Sequence, residues 1–477
     1  MTIDKINVTD TLNAAKEQLA NDDTISDATR SLMNVLMLII TLMANRLGLD
    51  SSNSSKPPSS DPNRKKKPRK KTGKKPGGQK GHKGNRLEKI DSPDIVEELK
   101  IDKRRLPKGE YKEAGYESRQ VFDIRISCEV TEYRAEILED QNGNRFVAKF
   151  PKGVTQPTQY GSGVKAHAVY MSQFQMLPYD RIRDYFADQM GMPLSAGSLF
   201  NFNQCAYVAL ESFESMARQK LIEAALAHAD ETGINVNGKR LWLHCFSTDQ
   251  WTLLFPHEKR GSEATDEFGI LPHFKGILCH DHWKPYFKYA CLHALCNAHH
   301  DRELTRAFEQ DDQQWAKDMQ KLLNEINNKV QDAGGVLSDY LQKKYRIKYR
   351  DILDEAEKEC PPPDTKRKKG QRGRIKKSKS RNLLERLRDY EDDVLRFMTS
   401  EIVPFTNNQG ENDLRMTKVQ QKVSGCFRSM EGARFFCRIR SYLITCRKHG
   451  ISPTTALDLL FQGKLPDFDS YLTISAE

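Results

Sequence analysis

Two aspartates stand where a charge is expensive. Asp230 lies within residues 227–236 (AHADETGINV), and Asp281 closes residues 275–281 (KGILCHD), both stretches otherwise patterned like buried strands. A carboxylate in such a strand costs several kcal/mol unless something pairs with it. For two neighbouring carboxylates the simplest partner is a divalent cation with oxygen ligands, Mg2+ or Mn2+. Two such ions about 3.5–4 Å apart activate an attacking oxygen and stabilise a leaving one, the chemistry of phosphodiester cleavage and transfer. Holding two ions calls for a third acid, and the residues offer two. Glu303 follows the fifth apolar strand directly. Glu411 stands in NNQGENDLRMTKVQQK, where Asn407 and Asn408 precede a helix and the glutamate falls in its first turn. Arg415, Lys418 and Lys422 follow at i+4, i+7 and i+11, on one face of that helix. An acid at the head of a basic ridge suits a metal and a phosphate backbone together. An i,i+4 ion pair between Glu411 and Arg415 explains the same spacing more plainly.

A second group of residues has ligand chemistry. Cys291, His293, Cys296, His299 and His300 fall within ten residues and are the donor types of zinc, but no paired C-x-x-C spacing is present. Cys291, His293 and Leu295 share one side of a strand, so burial accounts for part of the cluster and no zinc site is expected there.

The elements that must position these acids follow from periodicity. Residues 227–236, 241–248 and 251–256 read as three consecutive strands, 261–271 as a helix, 275–281 as a fourth strand and 289–295 as a fifth. Three strands, a helix, then a strand ending in Asp is the opening order of a ribonuclease-H-like sheet, in which the first and fourth strands are neighbours. Upstream, Pro178 opens a helix with Ile182, Phe186 and Met190 on one face, and Gly191 ends it. Ser195 caps a second helix carrying Leu199, Phe202 and Ala206, which together make a helix-turn-helix pattern. Residues 119–150 alternate apolar and polar around Asn142-Gly143, a hairpin signal within a small β module. Residues 10–48 read as a helix with Leu32, Leu36, Ile39, Met43 and Leu47 along a seam suited to self-association.

Charge is concentrated rather than spread. The 477 residues carry a net +11, yet residues 56–86 hold thirteen basic residues against one acid. Residues 366–381 hold ten basic residues and no acid, leaving the remainder of the chain acidic. Ser51 to Arg86 is rich in Ser, Pro, Gly and Lys with no aromatic residue, which predicts a disordered arm. Its run Arg64, Lys65, Lys66, Lys67, Arg69, Lys70, Lys71, Lys74 and Lys75 has the footprint of a nucleic-acid contact. The polar, acidic first 24 residues resemble no secretory signal. The longest apolar run, residues 32–44, is shorter than the roughly 20 residues of a membrane span. Ten cysteines without dense pairing point to reduced thiols, and the expectation is a cytoplasmic, nucleoid-associated protein.

Longer motifs carry a resemblance. NSSKPPSSDP with the Lys-rich run and PGGQKGHKG, then YGSGVKAH, LPYDRIRDYF, HADETGINVNGK, HEKRG, HDHWKPYF, LCNAHHDREL and VPFTNNQGENDLRMTKVQQKVSGCFRS run in order from about residue 53 to 460. In that order they resemble the transposases of insertion-sequence family 66. The resemblance implies a DDE transposase with a ribonuclease-H-like catalytic domain and two Mg2+ or Mn2+ ions on Asp230, Asp281 and Glu411. It also implies action on double-stranded DNA, at terminal inverted repeats and at a target, by a homodimer or higher oligomer, with accessory proteins of the same element as possible partners. On this basis the chain divides as follows: an N-terminal helical oligomerisation segment (1–50), the basic arm (51–86), a small β module (87–157) and a helix-turn-helix domain (158–222). A ribonuclease-H-like α/β catalytic domain follows (223–299 and 405–449), interrupted by a helical insertion (300–404), and a C-terminal helix and tail (450–477) complete a multidomain α+β chain. Relatives often carry a cysteine-paired zinc module before the helix-turn-helix. Here residues 87–165 hold a single cysteine, Cys128, so that module is expected to be degenerate. Two other functions fit the same features: an inactive DNA-binding relative or regulator, and a ribonuclease-H-like nuclease.

Overall fold

The computed structural model describes residues 2–3, 6–54, 61, 87–363 and 377–469. The arm residues Arg64 to Lys75, and most of the second basic run, lie outside the described residues.

The helix expected over 10–48 is two helices, Val8–Asn21 and α1 (Asp27–Leu47). The break is local hydrogen bonding competing with helix continuation. Ser26 Oγ accepts from the Thr29 N–H to cap α1, and Arg30 reaches back to the carbonyls of Leu19 and Asp22. The expected seam is not confined to one side. Leu32, Leu36 and Met43 are exposed, and so are Leu38, Ile40 and Leu42 on other faces. At 21 residues α1 is long and apolar enough, by length and composition, to cross a membrane. The 13-residue count fell short of that because the polar residues that bound the apolar run do not end the helix.

The β module shrinks to one hairpin. Ile137–Glu139 pairs with Arg145–Val147, and Asp140 Oδ1 accepts from the N–H groups of Asn142 and Asn144 in the turn. No strand forms over residues 119–134. Val121, Ile124 and Val130 there are exposed, so the alternating side chains cover nothing, and a lone hairpin is marginal in water.

The helix pair follows its sequence signals closely. α2 (Tyr179–Met190) ends at Gly191, whose φ of 62° is the left-handed conformation glycine adopts without strain. Ser195 Oγ accepts from the Ser198 N–H at 2.9 Å to cap α3 (Ala196–Ala209). Ile182, Phe186, Leu199, Phe202 and Ala206 are buried.

A mixed five-stranded sheet follows: β1 (Leu226–Val236), β2 (Lys239–Ser247), β3 (Thr252–His257), β4 (Ile277–His280) and β5 (Leu292–Leu295). Its order is β3-β2-β1-β4-β5, with β1, β2 and β3 antiparallel and β4 and β5 parallel to β1. Asn237 and Gly238, at φ 48° and 79°, make the tight β1–β2 turn that two positive-φ residues favour. Gly276 leads into β4, where a methyl group would press into the carbonyl oxygens of Ala224 and Ala225. After β5 the chain leaves the sheet through α4 (Asn297–Asp311), α5 (Gln314–Asp332), α6 (Asp339–Glu359) and α7 (Lys379–Asp389). It returns at Phe405, whose carbonyl accepts from the Asn297 N–H at 3.1 Å, and ends in α8 (Asn408–Ser424), α9 (Met430–Lys448) and Pro453–Phe461.

Alternation along β1 divides the core. Ala227 and Ala229 join Leu278, α2, α3 and α9 in one apolar cluster. On the other face Ile234 and Val236 pack with Leu414 of α8, while Cys279 and Ala294 pack under the excursion, in a cluster with residues such as Leu304 and Leu384. A buried ion pair ties α8 to α9: Lys448 Nζ lies 2.8 Å from Asp413 Oδ2, which also accepts from Thr252 Oγ1 at 2.9 Å. Asp413→Ala should destabilise the fold by about 3–5 kcal/mol in a denaturant titration, because Lys448 is left charged and buried. Asp413→Ala with Lys448→Met should recover much of that loss; equal losses in the single and double variants would count against a role for the pair.

Candidate functional site

Strand register brings the two aspartates together. β1 and β4 pair Leu226 with Ile277, Ala227 with Leu278 and His228 with Cys279. Carried two residues further, that register sets Asp230 level with Asp281. β4 and β5 pair His280 with Leu295, which sets Cys296 level with Asp281 on the other side. Adjacent strands lie about 4.8 Å apart, so Asp230, Asp281 and Cys296 stand abreast where the parallel part of the sheet ends.

Asn407 fixes the head of α8 against this row. Its side chain donates to Ala229 O (2.9 Å) and meets His228 Nδ1 (2.7 Å), and its N–H donates to Cys296 Sγ (3.1 Å). The residue is buried, so these bonds tie the α8 head to β1 and to the end of β5 away from water. Three residues on, Gly410 lies so close that an added Cβ would sit 3.4 Å from Asp230 Cβ. Glu411 is therefore delivered to the same place. Its partners come from α4 and not from Arg415: Oε1 is 3.6 Å from an Arg302 guanidinium nitrogen and 3.8 Å from His299 Nδ1.

The electrostatics are those of crowded carboxylates. Burial, then the charges of Glu231, Asp281 and Glu411, hold the Asp230 carboxyl well above the ordinary aspartate range. Glu231 is raised by burial and by Asp281, offset by Arg260. Asp281 accepts from the Trp283 N–H at 3.1 Å and acts on the Arg386 guanidinium. These crowded acids, with Glu411 Oε1 making no hydrogen bond, carry charge that a divalent cation would relieve, although among the described residues the ligand atoms that come within 4.8 Å of one another are those of Cys296, His299 and Glu411.

Among the residues expected from sequence, Asp230, Asp281 and Glu411 share this region. Glu303 instead forms an ion pair with Arg386 of α7, and Glu411 rather than Glu303 is among the acids acting on Asp230. Arg415 and Lys422 are exposed. Lys418 is half-buried and donates to Gly233 O at 2.8 Å, and burial, then Arg240, push its ammonium down, so it is held away from solvent. Two of the zinc-type donors turn to other partners: His293 Nδ1 lies 3.1 Å from His280 Nε2, and His300 Nδ1 3.0 Å from Asn297 Oδ1.

Sequence reasoning missed Glu231. Its carboxylate is held by Arg260 and by Tyr286 OH, which donates at 2.8 Å, while Arg260 lies over the rings of Trp242 (4.8 Å) and Trp283 (4.9 Å). The signal was present as two consecutive acids in an apolar strand, one for each face of the sheet. Sequence reasoning also missed His299 and Arg302 as partners of Glu411, because they are about 110 residues away along the chain.

Comparison with known proteins gives two matches. Residues 157–435 match the family described as Transposase IS66 family, a span that runs from before α2 into α9 and contains Asp230, Asp281 and Glu411. Residues 8–88 match a family of unknown function (DUF6444). No curated protein matches the chain.

Proposed function

The chain belongs to the IS66 family of transposases, and from that premise we propose that it binds the terminal inverted repeats of its element and catalyses metal-dependent phosphodiester cleavage and strand transfer. The observation that carries this reading is the register that sets Asp230 level with Asp281, with Glu411 acting on the same carboxyl from the head of α8. The strand order β3-β2-β1-β4-β5 supports a ribonuclease-H-like catalytic domain with residues 300–404 as an excursion from it.

Asp230, Asp281 and Glu411 would hold two Mg2+ or Mn2+ ions, which when bound supply an activated water and stabilise the leaving oxygen. The protein's own contribution is positioning and charge. The Asn407 side chain donates to Ala229 O and so ties the α8 head to β1, which holds Glu411 near Asp230. Arg302 and Arg386 balance the acids until a cation enters. Arg415 and Lys422, exposed one turn and three turns beyond Glu411, face the backbone of DNA whose phosphate lies at the acids. α2 and α3 serve as the helix-turn-helix, and the exposed apolar surface of α1 serves self-association, as synapsis of two ends requires. These activities place the protein in the cytoplasm, with the nucleoid.

The test is incubation of the full-length protein with Mg2+ and a duplex carrying the element's end. End-specific nicking followed by joining of the freed 3′-OH to a second duplex supports the proposal. End binding without cleavage would leave a DNA-binding regulator, and cleavage without end preference or joining a simple nuclease.

The arm has its own prediction. Deleting residues 56–86 removes thirteen basic residues. If about four of them contact phosphates, the slope of log K against log salt should flatten by roughly 3–4 units. An unchanged slope in a salt series of binding titrations would make the segment a linker only.

A further inference from the structure

Two of the five zinc-type donors do converge, but with a partner that the sequence placed elsewhere. Cys296 Sγ, a nitrogen of His299 and a carboxylate oxygen of Glu411 all lie within 4.8 Å of one another. Cys296 is the residue that stands level with Asp281, and His299 follows it in the first turn of α4, a C-x-x-H spacing that puts both side chains at one helix end. Glu411 enters from α8 across the gap.

The geometry is that of donors lacking their acceptor. His299 Nδ1 and Glu411 Oε1 are both shielded from solvent and make no hydrogen bond. They face each other at 3.8 Å, beyond hydrogen-bond range. Donors about 2.0–2.3 Å from one tetrahedral ion sit about 3.3–3.8 Å apart, so a small contraction would seat an ion among the three. Burial, and to a lesser degree the Glu411 charge, hold the Cys296 thiol up, and the Asn407 N–H on Sγ partly offsets this, so an entering cation is what would draw off the proton. The Arg302 guanidinium, 3.6 Å from the same Glu411 oxygen, is the charge an entering cation would displace.

We propose that Cys296, His299 and Glu411 form a binding site for one thiophilic divalent cation, Zn2+ or Co2+, with a fourth position open to water. The thiol proton leaves to solvent as the ion binds. Sulfur and imidazole select against Mg2+, whereas Asp230 and Asp281 offer only oxygen. The two sites therefore differ in metal preference but share Glu411. Resting on the function proposed above, this makes Zn2+ an inhibitor of Mg2+-supported cleavage, since Glu411 cannot serve both.

Co2+ titration of the full-length protein, followed by absorption, tests the site without DNA. The expected result is one ion per chain, a thiolate-to-cobalt charge-transfer band and the strong d–d bands of four-coordinate Co2+, all removed by Zn2+. Cys296→Ser should abolish the charge-transfer band. His299→Gln should weaken Co2+ binding at least about tenfold, since even losing a partner behind a metal ligand costs 10–100-fold. Asp281→Asn should leave the spectrum intact. Circular dichroism on each variant checks that the fold is kept. A wild-type protein without the band, or a band that survives in Cys296→Ser, overturns the site. If cleavage by Asp281→Asn is normal while the cobalt spectrum appears as expected, the functional proposal fails and the metal site stands.

Discussion

Asp281→Asn should lower Mg2+-supported cleavage of an end-bearing duplex by about a thousandfold or more, while end binding stays within a few-fold. The loss is put above the 10–100-fold seen when only a supporting residue behind a ligand is removed, because here the charge that holds the ion is itself removed. Binding should survive because the elements proposed to carry it, the arm, the helix pair and the exposed Arg415 and Lys422, are untouched. The substitution also has a sign on stability. Asp281 is one of the charges that hold the Asp230 carboxyl up, so its neutralisation relieves repulsion between buried acids. Without added metal the variant should therefore unfold at or above the wild-type temperature. A variant that cleaves normally would remove Asp281 from the chemistry. One that loses cleavage together with thermal stability would show collapse of the site rather than loss of a ligand.

Glu411→Gln and Glu303→Gln should separate cleanly. Glu411→Gln should eliminate cleavage to a similar extent, since the glutamate is one of the acids acting on Asp230 and a Cβ added at its neighbour Gly410 would meet Asp230 Cβ at 3.4 Å. Glu303→Gln should keep most of the activity. Glu303 is committed to Arg386, and losing that ion pair is expected to cost on the order of 1 kcal/mol of stability. The measurement is single-turnover cleavage at saturating Mg2+ alongside a melting curve for each variant. Inactivity of Glu303→Gln with an unchanged melt, and activity in Glu411→Gln, would reverse the assignment of the third acid.

The difference between these two glutamates marks how far the residues could be read alone. Local spacing favoured neither decisively: Glu303 lies next to the fifth strand and Glu411 more than 100 residues later. What separates them is where the chain returns, set by Asn297 meeting Phe405 and by Asn407 meeting Ala229 and Cys296. The side-chain chemistry of Asn407 was visible in NNQGEN, but its partners were not, since hydrogen bonds across 111 and 178 residues leave no periodic trace.

Elements whose apolar residues recur at a fixed period were legible without the fold. Ile182, Phe186, Leu199, Phe202 and Ala206, with Gly191 and Ser195 between them, specified two helices and their turn, because caps and the 3.6-residue period act within a few residues. The aspartates were legible as anomalies, since a charge in an apolar strand is costly wherever the strand lies. Alternation over residues 119–134 misled, because a strand also needs a partner and a surface to cover, and neither is formed there. The seam on α1 was legible as spacing, but not that apolar residues on the remaining faces are exposed with it. The sequence by itself therefore determined the helix pair, the acids available for metal chemistry and the two basic segments, all consequences of short-range physics. Spacing left Glu303 and Glu411 both open and the family resemblance pointed to Glu411, but only the tertiary structure shows how the returning chain sets Glu411 beside Asp230, that Lys418 turns inward to Gly233, and that Cys296 and His299 meet Glu411. Those choices depend on strand register and on the path by which a long excursion rejoins the sheet, and both are set by packing across the whole domain.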